Sequence, residues 1–131
     1  MAYEIPGQRI SVRWGTTVPP TTAAQFRMYG LSTAGYAQLT ATTADNRPFG
    51  VLQDVPPSTA AAGTFLLSGV TKLKVGGSTM TRGEFFACSS AGYAVPFTTD
   101  FPRIGLLLAG TSGTTGRIMT ALFFGPMGVE V

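Results

Sequence analysis

Two stretches of this chain, residues 32–37 and 89–94, read STAGYA and SSAGYA. Gly35 and Gly92 occupy the position at which a short hairpin needs a positive φ angle, which glycine adopts without strain. The tyrosine after each glycine begins the return strand. Two hairpins of nearly one sequence in one chain predict a duplicated structural unit.

The similarity continues on both sides of the hairpins and keeps the same order. The separation between aligned positions falls from 61 to 53 residues along the chain, which indicates slightly shorter loops in the second copy. We therefore predict internal repeats at approximately residues 9–69 and 70–125. The aligned segments are residues 10–15 with 71–76, Phe26 with Phe85, residues 49–52 with 104–107, and residues 63–65 with 116–118.

Short apolar runs separated by Gly, Pro and Thr predict nine to ten strands and an all-β fold, either a small barrel or a sandwich. A length of 131 residues suits one domain. Residues 1–8 are predicted to form an N-terminal arm and residues 9–131 a single β domain with one shared core. The one segment open to a helical interpretation is residues 21–27.

The pattern also predicts where the longest strand, the last strand and the interior lie. The longest strand candidate is residues 63–75, interrupted at Gly69 by a bulge or bend. The last strand is expected at residues 117–124, since Pro126 cannot lie in a central strand. The predicted interior comprises Val12, Trp14, Phe26, Leu52, Phe65, Leu67, Leu73, Phe85, Leu106, Ile118 and Leu122.

The residue types that carry most enzyme chemistry are scarce. The chain has no histidine, a single cysteine and six acidic residues without paired spacing. Histidine is the most frequent general base and metal ligand in proteins. We therefore expect no enzyme activity, no catalytic residues, no cofactor and no metal site. Cys88, which ends an apolar strand, is expected to be a buried small hydrophobe.

Charge is also scarce, at 11% of residues against roughly 25% in ordinary soluble domains. A surface so poor in charge predicts extensive contact with other proteins. The basic residues are dispersed along the chain, which argues against nucleic-acid binding. The N-terminus lacks the features of a signal peptide, and no apolar run is long enough to span a membrane as a helix.

The doubled order of hairpin, Phe/Ile-Gly-apolar strand, Gly-rich turn and long strand resembles the small capsid decoration proteins of tailed bacteriophages, also called cement or head-stabilising proteins. The residues that carry the resemblance are 89–96 and 104–107, with their counterparts 35–37 and 50–52. The pattern covers most of residues 9–124.

The resemblance implies a structural protein on the outside of the virion, made in the host cytoplasm, that binds the major capsid protein and stabilises the expanded shell. It also implies self-association, with a trimer favoured. In that family an N-terminal arm often holds the shell, so the capsid-interface candidates are Tyr3, Ile5, Arg9, Ile10, Arg13 and Trp14. Trp14 has the alternative role of a barrel core residue.

Two other functions remain open at this point. One is a receptor- or glycan-binding module on the virion surface, suggested by the content of Thr, Gly and aromatic residues. The other is an oligonucleotide-binding barrel, on which exposed aromatic rings would stack bases. The rings in question are Phe26, Tyr29, Tyr36, Phe85, Phe86 and Tyr93, for which packing inside the fold is the alternative.

Overall fold

A computed structural model describes residues 5–15, 20–39, 48–59, 61–77, 79–97, 103–109 and 114–127. These residues form nine strands and no helix, so the predicted all-β fold is confirmed. The strands are β1 (Ile5–Arg13), β2 (Met28–Leu31), β3 (Ala37–Gln38), β4 (Gly50–Asp54), β5 (Ala62–Lys74), β6 (Phe85–Cys88), β7 (Ala94–Pro96), β8 (Arg103–Ala109) and β9 (Ile118–Met127).

The strands belong to one curled antiparallel sheet in which β5 serves both repeats. The first half of β5 pairs with β1 and β4, and its second half pairs with β9. The change of partner falls at Gly69, which has a φ of 132°. The predicted bend in the longest strand is therefore confirmed, and it lies where the first repeat passes into the second.

Each repeat curls until its two edges meet. A parallel bridge joins Trp14 to Ala37 in the first repeat, and another joins Val75 to Ala94 in the second. The amides of Gly15 and Gly76 donate to the carbonyls of those same alanines at 3.0 and 2.8 Å. Both repeats therefore approach closure as small barrels, which removes exposed strand edges.

Strand register defines which residues of the two repeats correspond. Corresponding residues are 61 positions apart in β1 and the second half of β5, 57 in β2/β6 and β3/β7, 55 in β4/β8 and 56 in β5/β9. Even the irregularity after Leu52 in β4 recurs after Leu107 in β8. The predicted duplication thus extends to individual hydrogen bonds.

Two of the predicted alignments are corrected by this register. Met119, not Gly116, corresponds to Gly63. Gly63 pairs with Val12 of β1, and Met119 pairs with Leu73, the counterpart of Val12 in β5. Gly83, not Phe85, corresponds to Phe26. The amide of Phe26 donates to the carbonyl of Leu52 in β4, and the amide of Gly83 donates to the carbonyl of Leu107, the counterpart of Leu52 in β8. Phe26 and Gly83 also share a positive φ, of 62° and 91°.

The buried apolar residues form two clusters. The first contains Val12, Trp14, Ala24, Tyr29, Ala37, Leu52 and Phe65. The second contains Leu73, Val75, Met80, Phe86, Cys88, Ala94, Ile104, Leu107, Met119, Ala121 and Phe123, together with Met28, Val51 and Leu66 of the first repeat. The second cluster therefore spans the junction between the repeats.

Among the predicted core residues, Val12, Trp14, Leu52, Phe65 and Leu73 are buried. Phe26, Leu67, Leu106 and Leu122 are half-buried. Phe85 and Ile118 are exposed, so their prediction as core residues is wrong.

The error at Phe85 follows from the pleat of β6. Successive side chains of a strand point to opposite faces. Phe85 and Phe86 therefore cannot both face the core. Phe86, the counterpart of Tyr29, is the inward residue.

Three segment boundaries differ from prediction. Residues 22–26 form turns, not a helix. Strand β1 begins at Ile5, inside the segment predicted as an arm. Strand β9 continues to Met127, past Pro126, because Gly125 at a φ of 83° and a register shift opposite Arg103 interrupt the regular pairing there.

Candidate interaction surface

Five large apolar side chains of the described residues are exposed, three in the first repeat and two in the second. Ile10, Leu31 and Tyr36 belong to the first repeat and are 41%, 52% and 39% exposed. Phe85 and Ile118 belong to the second and are 42% and 41% exposed. Exposed apolar groups in contiguous patches mark surfaces for protein contact.

The described residues contain no group of three or more His, Cys, Asp or Glu side chains able to hold a metal ion. Cys88 is buried, as predicted, and its Sγ donates to the carbonyl of Ser89 at 3.2 Å. Over the same residues, no helix long and apolar enough to cross a membrane is present.

The predicted capsid-interface residues fall in different environments. Tyr3 lies outside the described residues, and Ile5 pairs with Val70 at the start of β1. Arg9 and Arg13 are exposed on β1. Trp14 is 2% exposed and its ring centroid lies 5.0 Å from that of Tyr29, so it has the alternative role of core residue.

The six aromatic rings considered for base stacking do not share one exposed face. Tyr29 and Phe86 are fully buried and correspond to each other in the two repeats. Tyr29 donates its hydroxyl hydrogen to the carbonyl of Ala24 at 2.9 Å, and burial raises the pKa of this phenol above its usual range. These rings belong to the cores, as the packing alternative proposed.

The second hairpin, Ser89–Ala94, docks against the first repeat. The carbonyl of its Gly92 accepts the amide hydrogen of Met28 at 2.8 Å. The guanidinium of Arg27 donates to the carbonyl of Ala91, with Nε at 2.9 Å, and lies 4.7 Å from the ring centroid of Tyr93. Arg27 is only 8% exposed, so this contact is an enclosed polar junction.

Two further contacts join the second repeat to the first. The ammonium of Lys74 donates to the carbonyls of Thr22 and Ala23 at 2.7 and 3.2 Å, and desolvation together with nearby Arg27 lowers the pKa of Lys74. The buried side chains of Gln53 and Thr71 share hydrogen bonds of 3.0 and 3.2 Å. The junction is therefore held by polar groups as well as by the shared core.

The first hairpin, Ser32–Ala37, has the same internal hydrogen bonds and, within the part of the chain that the structure describes, no such docking. Gly35 has a φ of 83°, as does Gly92, but a Cβ placed on Gly35 would meet nothing within 4 Å. A Cβ on Gly92 would lie 2.6 Å from the carbonyl oxygen of Met28. The ring of Tyr36 is covered on one side by Arg13, whose Cζ lies 5.4 Å from the ring centroid.

A cavity of about 260 Å³ opens on the second repeat. It is lined by Gly83, Glu84, Phe85, Pro96 and Phe97. Arg103 covers the rings of Phe85 and Phe97, with its Cζ 5.1 and 5.6 Å from their centroids. By strand register, this cavity is the counterpart of the surface of the first repeat on which the second hairpin docks.

Sequence reasoning did not find this cavity or the difference between the hairpins. The sequence did contain one usable signal, the change from basic Arg27 in the first repeat to acidic Glu84 at the corresponding position of the second. An alignment shifted by two positions placed Phe85 opposite Phe26 and so concealed that change of charge.

Comparison with known proteins identifies a structural neighbour but no sequence relative. No protein-family model matches the chain, and no curated protein matches it. A solved structure, the N base of head fiber gp8.5 of bacteriophage phi29, superposes with a TM-score of 0.64. The match covers 92% of this chain and 99% of that one, at 13% sequence identity.

The chain has the fold of this phage head fiber base. Because the superposition spans nearly all of both chains, the likeness concerns the complete two-repeat architecture and not one hairpin. At this level of identity the likeness shows the fold.

Proposed function

We propose that this chain is a structural protein of a phage virion that binds the outer surface of the capsid and stabilises the expanded shell. The observation that carries the proposal is the likeness, over nearly the whole of both chains, to the base of a phage head fiber. The role proposed is structural and not catalytic.

The surface chemistry supports binding to other proteins. Exposed apolar side chains occur in both repeats, and charged residues are few. Arg9 and Arg13 present positive charge on β1, within a chain of net charge +3. A mild positive field favours encounter with an acidic partner surface. The partners we propose are the major capsid protein and further copies of this chain, with a trimer favoured.

The N-terminal segment supports one mode of attachment. Strand β1 pairs with β5 from Ile5 onward, and Tyr3 precedes it. An extended segment at the start of a chain can add a strand to the edge of a partner sheet. We propose that the residues before β1 make this contact with a capsid subunit and that Arg9 supports it.

Co-sedimentation with expanded empty shells tests the proposal. The purified protein is expected to pellet with expanded shells and to raise their melting temperature, whereas unexpanded precursor shells serve as the comparison. Absence of co-sedimentation, together with an unchanged melting temperature, would contradict a role as a shell-binding protein.

A matched pair of charge reversals tests the attachment surface. Arg9→Glu is expected to weaken shell binding, since it reverses a charge on β1. Arg117→Glu reverses an exposed charge near the start of β9 and is expected to leave binding unchanged. Equal effects of the two substitutions would remove β1 from the proposed surface.

A further inference from the structure

Four of the five exposed large apolar residues correspond to residues that are buried or half-buried in the other repeat, whereas the fifth, Ile118, corresponds to the exposed Ala62. Thr71, Cys88 and Met28 are fully buried at the junction of the repeats, and Tyr93 is half-buried there. Their counterparts, in the same order, are the exposed residues Ile10, Leu31, Phe85 and Tyr36. The junction inside a chain is formed by one face of the first repeat and one face of the second. The counterpart of each of these faces, on the other repeat, is exposed.

We propose that the first repeat of one chain docks against the second repeat of another copy, in the same way as the second repeat docks against the first within a chain. This inference rests on the self-association proposed above and names the surfaces that would form it. It does not depend on binding to the shell.

The cavity on the second repeat lies where this contact would form, because lining residues correspond by strand register to those of the internal docking site. Glu84, Phe85 and Pro96 correspond to Arg27, Met28 and Leu39. Leu39 and Met28 are the residues closest to Gly92 in the internal junction. The first hairpin would therefore place Gly35 against Phe85, with the Gly35 carbonyl accepting the Phe85 amide hydrogen.

The charged residues differ between the internal and the proposed junction in a matched manner. Internally, the cation of Arg27 covers the ring of Tyr93. In the proposed contact Glu84 takes the place of Arg27, and the ring it approaches, Tyr36, already has Arg13 beside it. An acidic side chain thus meets a basic one, whereas an arginine at position 84 would meet a like charge.

A polar pair is replaced by an apolar pair in the same way. The counterparts of Gln53 and Thr71, which share buried hydrogen bonds internally, are Leu108 and Ile10. Ile10 is exposed and Leu108 half-buried. Contact between them would remove apolar surface from water, which is favourable. Both members of the pair are polar in the internal junction and both are apolar in the proposed one, as expected for residues that contact each other.

The proposed contact is heterologous, since the donating and the accepting surfaces differ. Each chain offers one hairpin and one cavity, so copies join head to tail. Such an arrangement either closes into a ring or continues as an open filament.

Substitution of Gly35 by asparagine tests the contact without disturbing the fold. Asparagine tolerates a positive φ, and none of the described residues has a heavy atom within 4 Å of a Cβ at Gly35. In the docked state that Cβ would meet the backbone, as one on Gly92 would. Gly116→Asn is the control, because Gly116 has a φ of 86° and equally open surroundings.

The measurement is sedimentation velocity over a concentration series, with circular dichroism to confirm folding. Wild type and Gly116→Asn are expected to have the same dissociation constant for self-association. Gly35→Asn is expected to raise this constant by about tenfold or more. If Gly35→Asn associates as strongly as wild type, the proposed contact through the first hairpin is wrong, although the chain still self-associates. A wild type that stays monomeric throughout would overturn both, and shell co-sedimentation would still report separately on capsid binding.

Charge exchange provides a second, independent test. Arg13→Glu and Glu84→Arg are each expected to weaken association by about tenfold, and the double variant to recover it, since the opposite charges face each other again. A double variant as weak as the sum of the single variants would overturn the pairing of these two residues.

Discussion

The two hairpins differ in their surroundings and in almost nothing else. Both have a serine Oγ that accepts the tyrosine amide hydrogen, at 3.0 and 3.1 Å, and both have a glycine at a φ of 83°. The second is docked on Arg27 and Met28, whereas a Cβ on Gly35 of the first would meet nothing within 4 Å. A hairpin sequence therefore specifies its own turn, and residues elsewhere decide whether that turn becomes an interface.

The largest difference is expected from the same substitution in each hairpin. Gly92→Ala should destabilise the fold by about 3 kcal/mol or more, because a left-handed alanine is strained and its Cβ would press on the Met28 carbonyl. Gly35→Ala should cost about 1 kcal/mol, the strain alone. Urea unfolding of both variants measures the difference, and equal losses would contradict the docked state of the second hairpin.

A smaller difference is expected between Arg27→Met and Glu84→Met. The first removes buried, charge-assisted hydrogen bonds to the Ala91 carbonyl and the contact with Tyr93, and should cost about 2 kcal/mol. The second removes an exposed acceptor of the Thr81 amide hydrogen and should cost about 0.5 kcal/mol. Thermal unfolding compares the two, and similar melting temperatures would contradict an enclosed junction at Arg27.

The smallest effect separates the two cores by their response to alkaline pH. Burial raises the pKa of Tyr29, so the folded protein retains the phenol proton at pH values where the unfolded chain releases it. Stability should therefore fall as the pH rises above about 10, the ordinary tyrosine pKa. The counterpart, Phe86, does not titrate.

Tyr29→Phe should remove this component and cost about 1 kcal/mol near neutral pH, through loss of the bond to Ala24. Lys74, whose pKa is lowered, acts in the opposite direction but is present in both proteins, so the difference between them isolates Tyr29. Unfolding curves at increasing pH provide the measurement. Parallel curves for wild type and variant would contradict the assignment.

The duplication, the order of the repeated segments along the chain and the hairpin glycines could be predicted because they depend on local patterns. Gly35, Gly69 and Gly92 are each in the left-handed region where the sequence placed a turn or bend. The exposure of Phe85 and Ile118 could not be predicted, because the pleat turns only one of two neighbouring apolar residues toward the core and register decides which. Register in turn depends on long-range pairing with β5, β8 and β9.

The correspondence of Phe26 with Gly83 was also beyond local pattern. A bulky residue at a positive φ is rare, so nothing in the sequence suggested that a phenylalanine occupies the position of a turn glycine. The Phe26 carbonyl accepts the amide hydrogen of Lys74, and its ring lies 5.7 Å from the Lys72 ammonium. Contacts from the second repeat thus hold this conformation, which ties local backbone strain to the junction.

Electron cryomicroscopy of expanded shells incubated with the protein would show both shell binding and the contact between subunits. We expect ordered density on the outer surface of the shell, in which the first hairpin of each subunit lies against Phe85 of the next. A shell that remains bare at saturating protein would contradict the proposed function. Bound subunits whose first hairpins touch nothing would contradict the proposed interface.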